Sequence, residues 1–305
     1  MKFKPFNVFI AFLLVIGLTS CMNNFNDESA GMAEKNDQEI RNYLNANQLQ
    51  SQVTKTASGL YHIITPANSS AKAATANEEL EFTYTLSYIA GSTTVLVDSA
   101  NKTKSAYIPF LAGVVVQGLE EGFLLMREGQ SARFFMPSNI AFGNDTRSGK
   151  MPAYSAVVFD VTLKRSRTQL EQMDDYAAIK KLGAPTSTTL VPNSTDSVRV
   201  YITSKGTGAR VTTNQTVTVA YTANTFRAST PFDKGDSLSF KTSSNQVISG
   251  FDAGIQQLSV GDKAVLVFPS GVGYGAQGSY DQSKGYYIVP PYTPLAFEVT
   301  VKSAK

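Results

Sequence analysis

One 29-residue segment occurs twice in this chain, without gaps. The first copy is Val115–Gly143 and the second is Val247–Gly275, 132 positions later. Four glycines keep their places: Gly118/Gly250, Gly122/Gly254, Gly129/Gly261 and Gly143/Gly275. A shared glycine marks a backbone position that a side chain would obstruct, so both copies should have the same backbone geometry. The 305-residue chain is therefore predicted to contain two copies of one domain.

The repeat extends beyond this segment in both directions. Upstream, the tyrosine of EFTYT, Tyr84, matches the tyrosine of TVAYT, Tyr221. Downstream, Val157–Leu163 matches Leu295–Val301. The spacing between the copies drifts by only a few residues along the chain, which indicates that insertions lie in loops, where length changes are tolerated.

The periodicity within each copy predicts an α+β fold. Apolar residues at helical spacing predict one short amphipathic helix per copy, through Leu119 and Phe123 in the first and Phe251 and Ile255 in the second. Runs rich in β-branched and aromatic residues predict the strands. These runs are Gly59–Thr65, Glu79–Ile89, Ser131–Pro137, Val198–Ser204, Gln215–Phe226 and Lys263–Pro269. Each domain is expected to be an antiparallel sheet wrapped on its helix.

A further helical pattern opens each domain. The first covers Asp37–Asn47, and the second covers Asp174–Gly183, where it also connects the domains. We therefore expect a first domain over residues 39–166, a connector helix over 167–185 and a second domain over 186–305.

The N-terminus has the features of an export signal. Lys2 and Lys4 precede the apolar run Val8–Leu18, which is too short to span a bilayer comfortably. The run ends in Leu-Thr-Ser-Cys, which resembles the bacterial lipobox, so residues 1–20 are expected to be removed and Cys21 to carry a lipid. The alternative is an ordinary signal with a coincidental cysteine, although Cys21 is the only cysteine.

Residues 21–38 are polar and are expected to form a flexible tether from this membrane anchor. The expected location is the cell envelope, on the side of the periplasm or of the surrounding medium. Met22, directly after the lipidated cysteine, does not suggest retention at the inner membrane and favours the outer membrane.

The residue inventory excludes most catalytic chemistry. The only histidine is His62, and the second copy has Tyr201 at the corresponding place, so a catalytic triad or a histidine-bound metal is not expected. No phosphate-binding loop occurs, and no cofactor is expected. Loss of residues 1–20 removes two lysines and no acidic residue, which lowers the net charge from +3 to +1 and argues against nucleic-acid binding.

What remains is a set of aromatic and aliphatic residues around one acid in the second copy. In chain order these are Tyr221, Phe232, Asp233, Val247, Ile248, Phe251, Tyr274, Ile288, Val289 and Phe297. Their order and spacing resemble the FKBP-type peptidyl-prolyl isomerases, over essentially the whole of both copies. The resemblance implies a pocket with Phe251 as its floor, where the family usually has tryptophan. It also implies a polar edge formed by Asp233 and Tyr274, and Val289 on a loop over the mouth.

The implied reaction suits these residues. An X-Pro bond isomerises over a barrier of about 20 kcal/mol that is set by amide resonance. Twisting the bond removes the charge separation of the planar amide, so a dry apolar pocket disfavours the planar form relative to the twisted one. One oriented hydrogen bond would add to this effect. No acid, base or nucleophile is required.

The polar candidates also have structural interpretations. Tyr221 can belong to the core, with its hydroxyl satisfied by Asp233. Asp233 can be a turn residue, since Asp-Lys-Gly is a common turn. Tyr274 lies in Gly-Tyr-Gly, which is typical of a turn that leaves a strand.

The first copy has a degenerate version of the pocket. It retains Tyr84, Asp98, Val115, Val116 and Phe159. Leu119 replaces the floor aromatic residue and Phe142 replaces the edge tyrosine. We therefore expect a weak or inactive first domain.

Three functional hypotheses follow. The leading one is an envelope prolyl isomerase that assists the folding of exported, proline-containing polypeptides. The alternative is a non-catalytic chaperone or assembly module that binds client segments in the same grooves. A carbohydrate-binding lipoprotein has little support, because the chain has no tryptophan to stack on sugars.

Overall fold

A computed structural model describes residues 30–66, 70–100 and 104–305 of the chain. The predicted signal peptide, Cys21 and the first part of the predicted tether lie outside the described residues. The chain divides into two compact units, Met1–Ser166 and Arg167–Lys305. Each unit contains one copy of the repeat.

The first unit is built on one sheet. Its strands are β1 (Thr54–Lys55), β2 (Tyr61–Ile64), β3 (Glu79–Ala90), β4 (Thr93–Ala100), β5 (Ala106–Pro109), β6 (Ser131–Met136) and β7 (Val157–Arg167). They lie in the order β1-β2-β6-β7-β3-β4, with β5 paired to β3. The pairs β1–β2, β2–β6, β6–β7, β3–β4 and β3–β5 are antiparallel.

The second unit repeats this arrangement. Its strands are β8 (Ser187–Leu190), β9 (Ser197–Ser204), β10 (Thr216–Thr225), β11 (Asp233–Lys241), β12 (Lys263–Phe268), β13 (Ser279–Asp281), β14 (Tyr286–Val289) and β15 (Leu295–Ala304). The main sheet has the antiparallel order β11-β10-β15-β12-β9-β8. The strands β13 and β14 form a separate hairpin inside the long insertion of this copy.

The predicted amphipathic helix is present in both units, as α2 (Gln117–Leu124) and α4 (Ser249–Ile255). Its apolar face is buried on the sheet, with Leu119, Phe123, Phe251 and Ile255 all in the cores. This confirms the α+β class and the arrangement of one sheet on one short internal helix.

The shared glycines have two separate causes. Two per copy lie where the helix touches the sheet: a Cβ on Gly122 would be 2.7 Å from Phe134, and one on Gly254 would be 2.7 Å from Leu266. The others have positive φ, for example +83° at Gly129, where residues with a side chain are strained. Close packing and left-handed turns thus explain why the four glycines occupy matching positions in the two copies.

A longer helix covers the opposite face of each sheet: α1 (Ala30–Ala46) in the first unit and α3 (Gln169–Ile179) in the second. Helix α1 packs through Ile40, Tyr43 and Leu44 on strands of its sheet. Helix α3 packs through its own apolar residues, Met173, Tyr176 and Ala177. These two sets are related by a constant shift of 133 positions, so the duplicated unit includes the outer helix.

Both helix boundaries differ from the sequence prediction. Helix α1 covers Ala30–Ala46, so residues 30–38 are helical rather than part of a flexible tether. Helix α3 begins at Gln169, not at Asp174, because Thr168 and Glu171 form a capping box in which each side chain accepts a hydrogen bond from the other's backbone N–H. No helix in the described part of the chain is long and apolar enough to cross a bilayer.

Candidate functional site

The polar edge of the candidate pocket forms where two neighbouring strands of the second sheet meet. Tyr221 lies on β10, and Asp233 is the first residue of β11, so Asp233 belongs to a strand and not to the predicted turn. The ladder between these strands shifts register between Val219 and Tyr221. Such a bulge redirects side chains locally, and here it lies next to Tyr221.

The Tyr221 hydroxyl donates a hydrogen bond of 2.7 Å to Oδ2 of Asp233. The other carboxylate oxygen, Oδ1, accepts from the backbone N–H of Lys234 at 2.8 Å. Burial raises the pKa of Tyr221 to about 12, and the bond to Asp233 contributes to the increase. The hydroxyl therefore remains a donor at physiological pH.

Phe251, the residue that the resemblance implies as the floor of the pocket, lies on helix α4 in the core of the second unit. Its ring is 2% exposed and lies 5.0 Å from the ring of Phe297 and 6.0 Å from that of Tyr221, centre to centre. The ring of Phe240 contacts it from below at 5.7 Å. Helix α4 thus presents Phe251 to the middle of an aromatic cluster.

Phe232 and Tyr274 form one side of the same cluster. Their rings meet edge to face at 6.2 Å, and Phe232 lies 6.1 Å from Phe297. Burial, followed by the negative charge of Asp233, raises the pKa of Tyr274. Within residues 30–66, 70–100 and 104–305 the Tyr274 hydroxyl makes no hydrogen bond, so it is able to donate to a ligand.

The aliphatic candidates differ in accessibility. Val247, Ile248 and Ile288 are half-buried beside the core of the second unit. Val289 is completely buried, so it does not stand over the mouth, where the resemblance placed it. Its neighbour Ile288 is the accessible member of this pair.

The first unit contains the same Tyr-Asp arrangement. The Tyr84 hydroxyl donates to Oδ2 of Asp98 at 2.7 Å, and Oδ1 of Asp98 accepts from the backbone N–H of Ser99 at 2.8 Å. Burial and this bond raise the pKa of Tyr84. The rings of Tyr84 and Phe142 each lie close to Phe159, at 6.0 and 6.2 Å.

The first pocket is nevertheless more covered than the second. Val115 and Val116 are each 2% exposed, whereas their counterparts Val247 and Ile248 are half-buried. The guanidinium of Arg147 lies 4.8 Å from the centre of the Phe142 ring. Leu119 is completely buried and supplies no aromatic floor.

Phe240 is a pocket residue that the sequence did not identify. Residues 233–241 are mostly polar and include a glycine, and they were not among the strands predicted from the sequence, so no core-facing residue was assigned there. The register Val217–Phe240 and Val219–Leu238 in the structure places both Phe240 and Leu238 on the core side.

A comparison with family models matches both domains. Residues 70–164 and 208–302 match the model of the FKBP-type peptidyl-prolyl cis-trans isomerases. The two matches together cover more than half of the chain, and they include the Tyr-Asp pair of each unit. The chain belongs to this family.

Individual relatives support the same membership. FK506-binding protein 1 of Dictyostelium discoideum is 32% identical over 112 residues, which cover 35% of this chain and 98% of that protein. The peptidyl-prolyl cis-trans isomerase FKBP9 of Homo sapiens is 24% identical over 180 residues, 59% of this chain and 28% of its own length. The 46 kDa FK506-binding nuclear protein of Spodoptera frugiperda is 35% identical over 33% of this chain and 24% of its own length.

The chain thus spans only about a quarter of the length of two of these three relatives. Among solved structures, the three FKBP domains of wheat FKBP73 align with 82% of this chain and 96% of that one. The sequence identity is 17% and the TM-score is 0.38.

Proposed function

We propose that this protein is an active peptidyl-prolyl cis-trans isomerase whose activity resides mainly in the second domain. The observation that carries the proposal is the aromatic cluster of that domain, in which Phe251 packs against Phe297 and Tyr221 and the hydroxyls of Tyr221 and Tyr274 lie beside half-buried apolar side chains. The substrates are polypeptides that contain proline.

The pocket residues favour the twisted amide over the planar one. The half-buried side chains of Phe232, Ile248 and Ile288 offer apolar surface to the proline ring. The buried rings of Phe251 and Phe297 support them from the core. This surface removes water from the planar, charge-separated amide. The Tyr274 hydroxyl lies at the edge of this surface and donates a hydrogen bond to a substrate carbonyl. The Tyr221–Asp233 bond holds the acid in place. Acceleration by four decades requires about 5.4 kcal/mol of differential binding.

The same features argue for an inactive first domain. Phe142 has no hydroxyl to donate, and Arg147 lies over its ring. The fully buried Leu119 offers less surface than an aromatic floor. The first domain therefore keeps the fold and the Tyr84–Asp98 bond without the donor that the reaction uses.

The first test measures isomerisation of a short X-Pro peptide by the full chain and by variants in matched positions. Tyr274→Phe and Asp233→Asn alter the second pocket, and Asp98→Asn makes the equivalent change in the first. Loss of one hydrogen bond is expected to lower kcat/KM about five- to tenfold. We expect this loss in the two second-pocket variants and an unchanged rate in Asp98→Asn.

An equal loss in Asp98→Asn would show that both domains are active. A folded wild-type chain that accelerates no X-Pro peptide would contradict the enzyme and leave a module that binds client segments. The first domain keeps the fold and has Phe142 in place of the edge tyrosine, and this favours a non-catalytic role for that domain. Suppression of client aggregation by that inactive chain would then identify the chaperone.

We also propose that the protein acts in the cell envelope, attached to the outer membrane through a lipid on Cys21. The support is the sequence alone: Lys2 and Lys4, the apolar run Val8–Leu18 and the Leu-Thr-Ser-Cys that follows. Its clients would be exported polypeptides that fold beside the membrane. Labelled palmitate should enter the wild-type chain and not Cys21→Ala, and recovery of unlabelled wild-type protein from the soluble fraction would refute the anchor.

A further inference from the structure

The outer helix of the second unit touches the loop that carries Tyr274. The first residue of α3, Gln169, places its side-chain amide against Ser270. Its Oε1 accepts from the backbone N–H of Ser270 at 2.7 Å, and its Nε2 donates to the Ser270 hydroxyl at 3.0 Å. Ser270 is 3% exposed and Gln169 is half-buried, so this pair of bonds is partly shielded from water.

Ser270 in turn organises the turn around Tyr274. The Ser270 carbonyl accepts from the backbone N–H of Gly273 at 2.8 Å and from that of Gly275 at 2.7 Å. These two glycines flank Tyr274 directly. The backbone on both sides of Tyr274 is therefore hydrogen-bonded to the carbonyl of Ser270. Gln169 in turn is hydrogen-bonded to Ser270.

The first unit has the same device. Asn36 of α1 is 1% exposed, and its Oδ1 accepts from the backbone N–H of Ser138 at 2.9 Å. The Ser138 carbonyl accepts from Gly143 at 2.8 Å, as the Ser270 carbonyl does from Gly275. Asn36 precedes Ser138 by 102 positions, and Gln169 precedes Ser270 by 101.

The two amides are related by the same 133-position shift as the apolar residues of the outer helices. The duplicated unit has therefore kept this contact although the side chain changed from asparagine to glutamine. In both copies, a polar side chain of the outer helix is hydrogen-bonded to the loop serine, Ser138 or Ser270. Packing of the helix through its apolar face does not require this contact.

We propose that Gln169 is a positioning residue for the isomerase pocket: it fixes Ser270 and, through Ser270, the turn that aims the Tyr274 hydroxyl at the substrate. The inference rests on the isomerase activity proposed above. It makes α3 a functional part of the second domain, so a second domain cut after Gln169 would contain Tyr274 without the group that orients it.

Two substitutions separate the hydrogen bonds from the bulk of the side chain. Gln169→Met has a similar size and length but makes neither bond. Gln169→Glu retains both, because the carboxylate accepts from the Ser270 N–H while the Ser270 hydroxyl turns to donate. The control is Thr168→Ala, which removes the cap of the same helix and leaves the amide of Gln169 in place.

The first readout is kcat/KM for an X-Pro peptide, measured on the full chain. Gln169→Met is expected to lower it about fivefold, the factor that one or two net hydrogen bonds contribute, and Gln169→Glu to restore it. In the background of Tyr274→Phe, Gln169→Met should cause no further loss, because residues that act through one another are not additive. A loss of the same size in both backgrounds, or an equal loss in Thr168→Ala, would overturn the proposal.

The second readout does not need turnover. Exchange of the Gly275 amide hydrogen, followed by NMR, should be several-fold faster in Gln169→Met than in the wild type and unchanged in Gln169→Glu. An unchanged exchange rate in Gln169→Met would refute the positioning role even if the enzyme is active. Faster exchange in a chain without isomerase activity would refute the proposed function and leave the role of Gln169 in holding the loop.

Discussion

At the scale of single residues, the two pockets share the tyrosine that binds the aspartate. They differ at the edge residue, which is Tyr274 in the second pocket and Phe142 in the first. The Tyr-Asp hydrogen bond measures 2.7 Å in both, with the second carboxylate oxygen on the next backbone N–H. This bond is therefore a property of the fold and does not distinguish an active copy from an inactive one. The hydroxyl of Tyr274, absent from Phe142, is the difference that bears on chemistry.

The paired tyrosines predict how stability depends on alkaline pH. Burial raises the pKa of Tyr221 to about 12, above the ordinary value of 10.0, and the pKa of Tyr84 is raised in the same direction. The folded state therefore holds these protons more tightly than the unfolded state. The resulting stability is complete below pH 10 and is lost as the pH rises toward 12.

The double variant Tyr84→Phe/Tyr221→Phe should consequently lose less unfolding free energy than the wild type between about pH 9 and pH 11. Denaturant unfolding at the two pH values measures the difference. Tyr280→Phe is the control, because Tyr280 is 48% exposed and lies outside both pairs. A double variant with the wild-type pH dependence would show that the pairs are not the source.

At the scale of elements, the internal helix depends on glycine to approach its sheet. A Cβ at Gly254 would lie 2.7 Å from Leu266, a buried residue of β12. Gly254→Ala is expected to destabilise the protein by about 1–3 kcal/mol, the usual cost of overpacking. Gly31→Ala is the opposite control: nothing lies within 4 Å of its Cβ, so it should stabilise α1 by up to about 1 kcal/mol. Midpoints of urea unfolding that move in the same direction would contradict this explanation.

These elements also show what the sequence can and cannot predict. The glycine register predicted the shared backbone, because the register depends on local spacing. The role of Phe251 as a pocket floor came from the family resemblance and stays a prediction, although the structure does place Phe251 among the aromatic residues of the cluster. The sequence analysis placed the start of α3 too late, although Thr168 and Glu171 have the spacing of a capping box. The reason is that the apolar stripe after them is short. Phe240 was missed because its polar, glycine-containing strand β11 was not predicted, and the burial of Val289 was missed because it follows the long insertion of the second copy.

The attachment of α1 to its sheet makes the first unit sensitive to acid. Asp37 accepts hydrogen bonds from Lys55 at 2.6 Å and Tyr61 at 2.6 Å, and from Arg41 within the helix at 2.7 Å. Burial acts to raise the pKa of Asp37, but these bonds outweigh it and lower the pKa to about 2. Their contribution to stability is present above the ordinary value of 3.8 and is lost as the pH falls toward 2.

Asp37→Asn should therefore lower the free energy of unfolding by about 1 kcal/mol near neutral pH. Near pH 2 most of this difference should disappear, because the Asp37 carboxyl is then almost completely protonated in the unfolded state and about half protonated in the folded state. Denaturant titration at both pH values provides the measurement, and Asp145→Asn, in an exposed pair with Arg147, is the control. A deficit of the same size at both pH values would mean that the charge of Asp37 is not responsible.

At the scale of the whole molecule, the duplication produced two domains with the same framework and unequal pockets. Each unit has a sheet, an internal helix, an outer helix and an amide contact from the outer helix to a loop serine, Ser138 in the first unit and Ser270 in the second. The copies differ in the pocket, in its cover and in the β13–β14 hairpin of the second unit. The framework of the first domain is intact, and the weak or absent activity proposed for it should be reversible by changes at the pocket alone.

The last prediction tests this reversibility. In a chain whose second pocket is silenced by Tyr274→Phe and Asp233→Asn, Phe142→Tyr should restore little activity, because the side chain of Arg147 still lies over that ring. Combining Phe142→Tyr with Arg147→Ala supplies the hydroxyl and removes the side chain that covers it. We expect kcat/KM for an X-Pro peptide to rise about fivefold above that of the silenced chain, because one hydrogen bond contributes about this factor. Arg147→Ala alone serves as the control. If it raises the rate as much as the combination, access rather than the missing hydroxyl limits the first domain; if neither does, the buried Leu119 floor is the limiting difference.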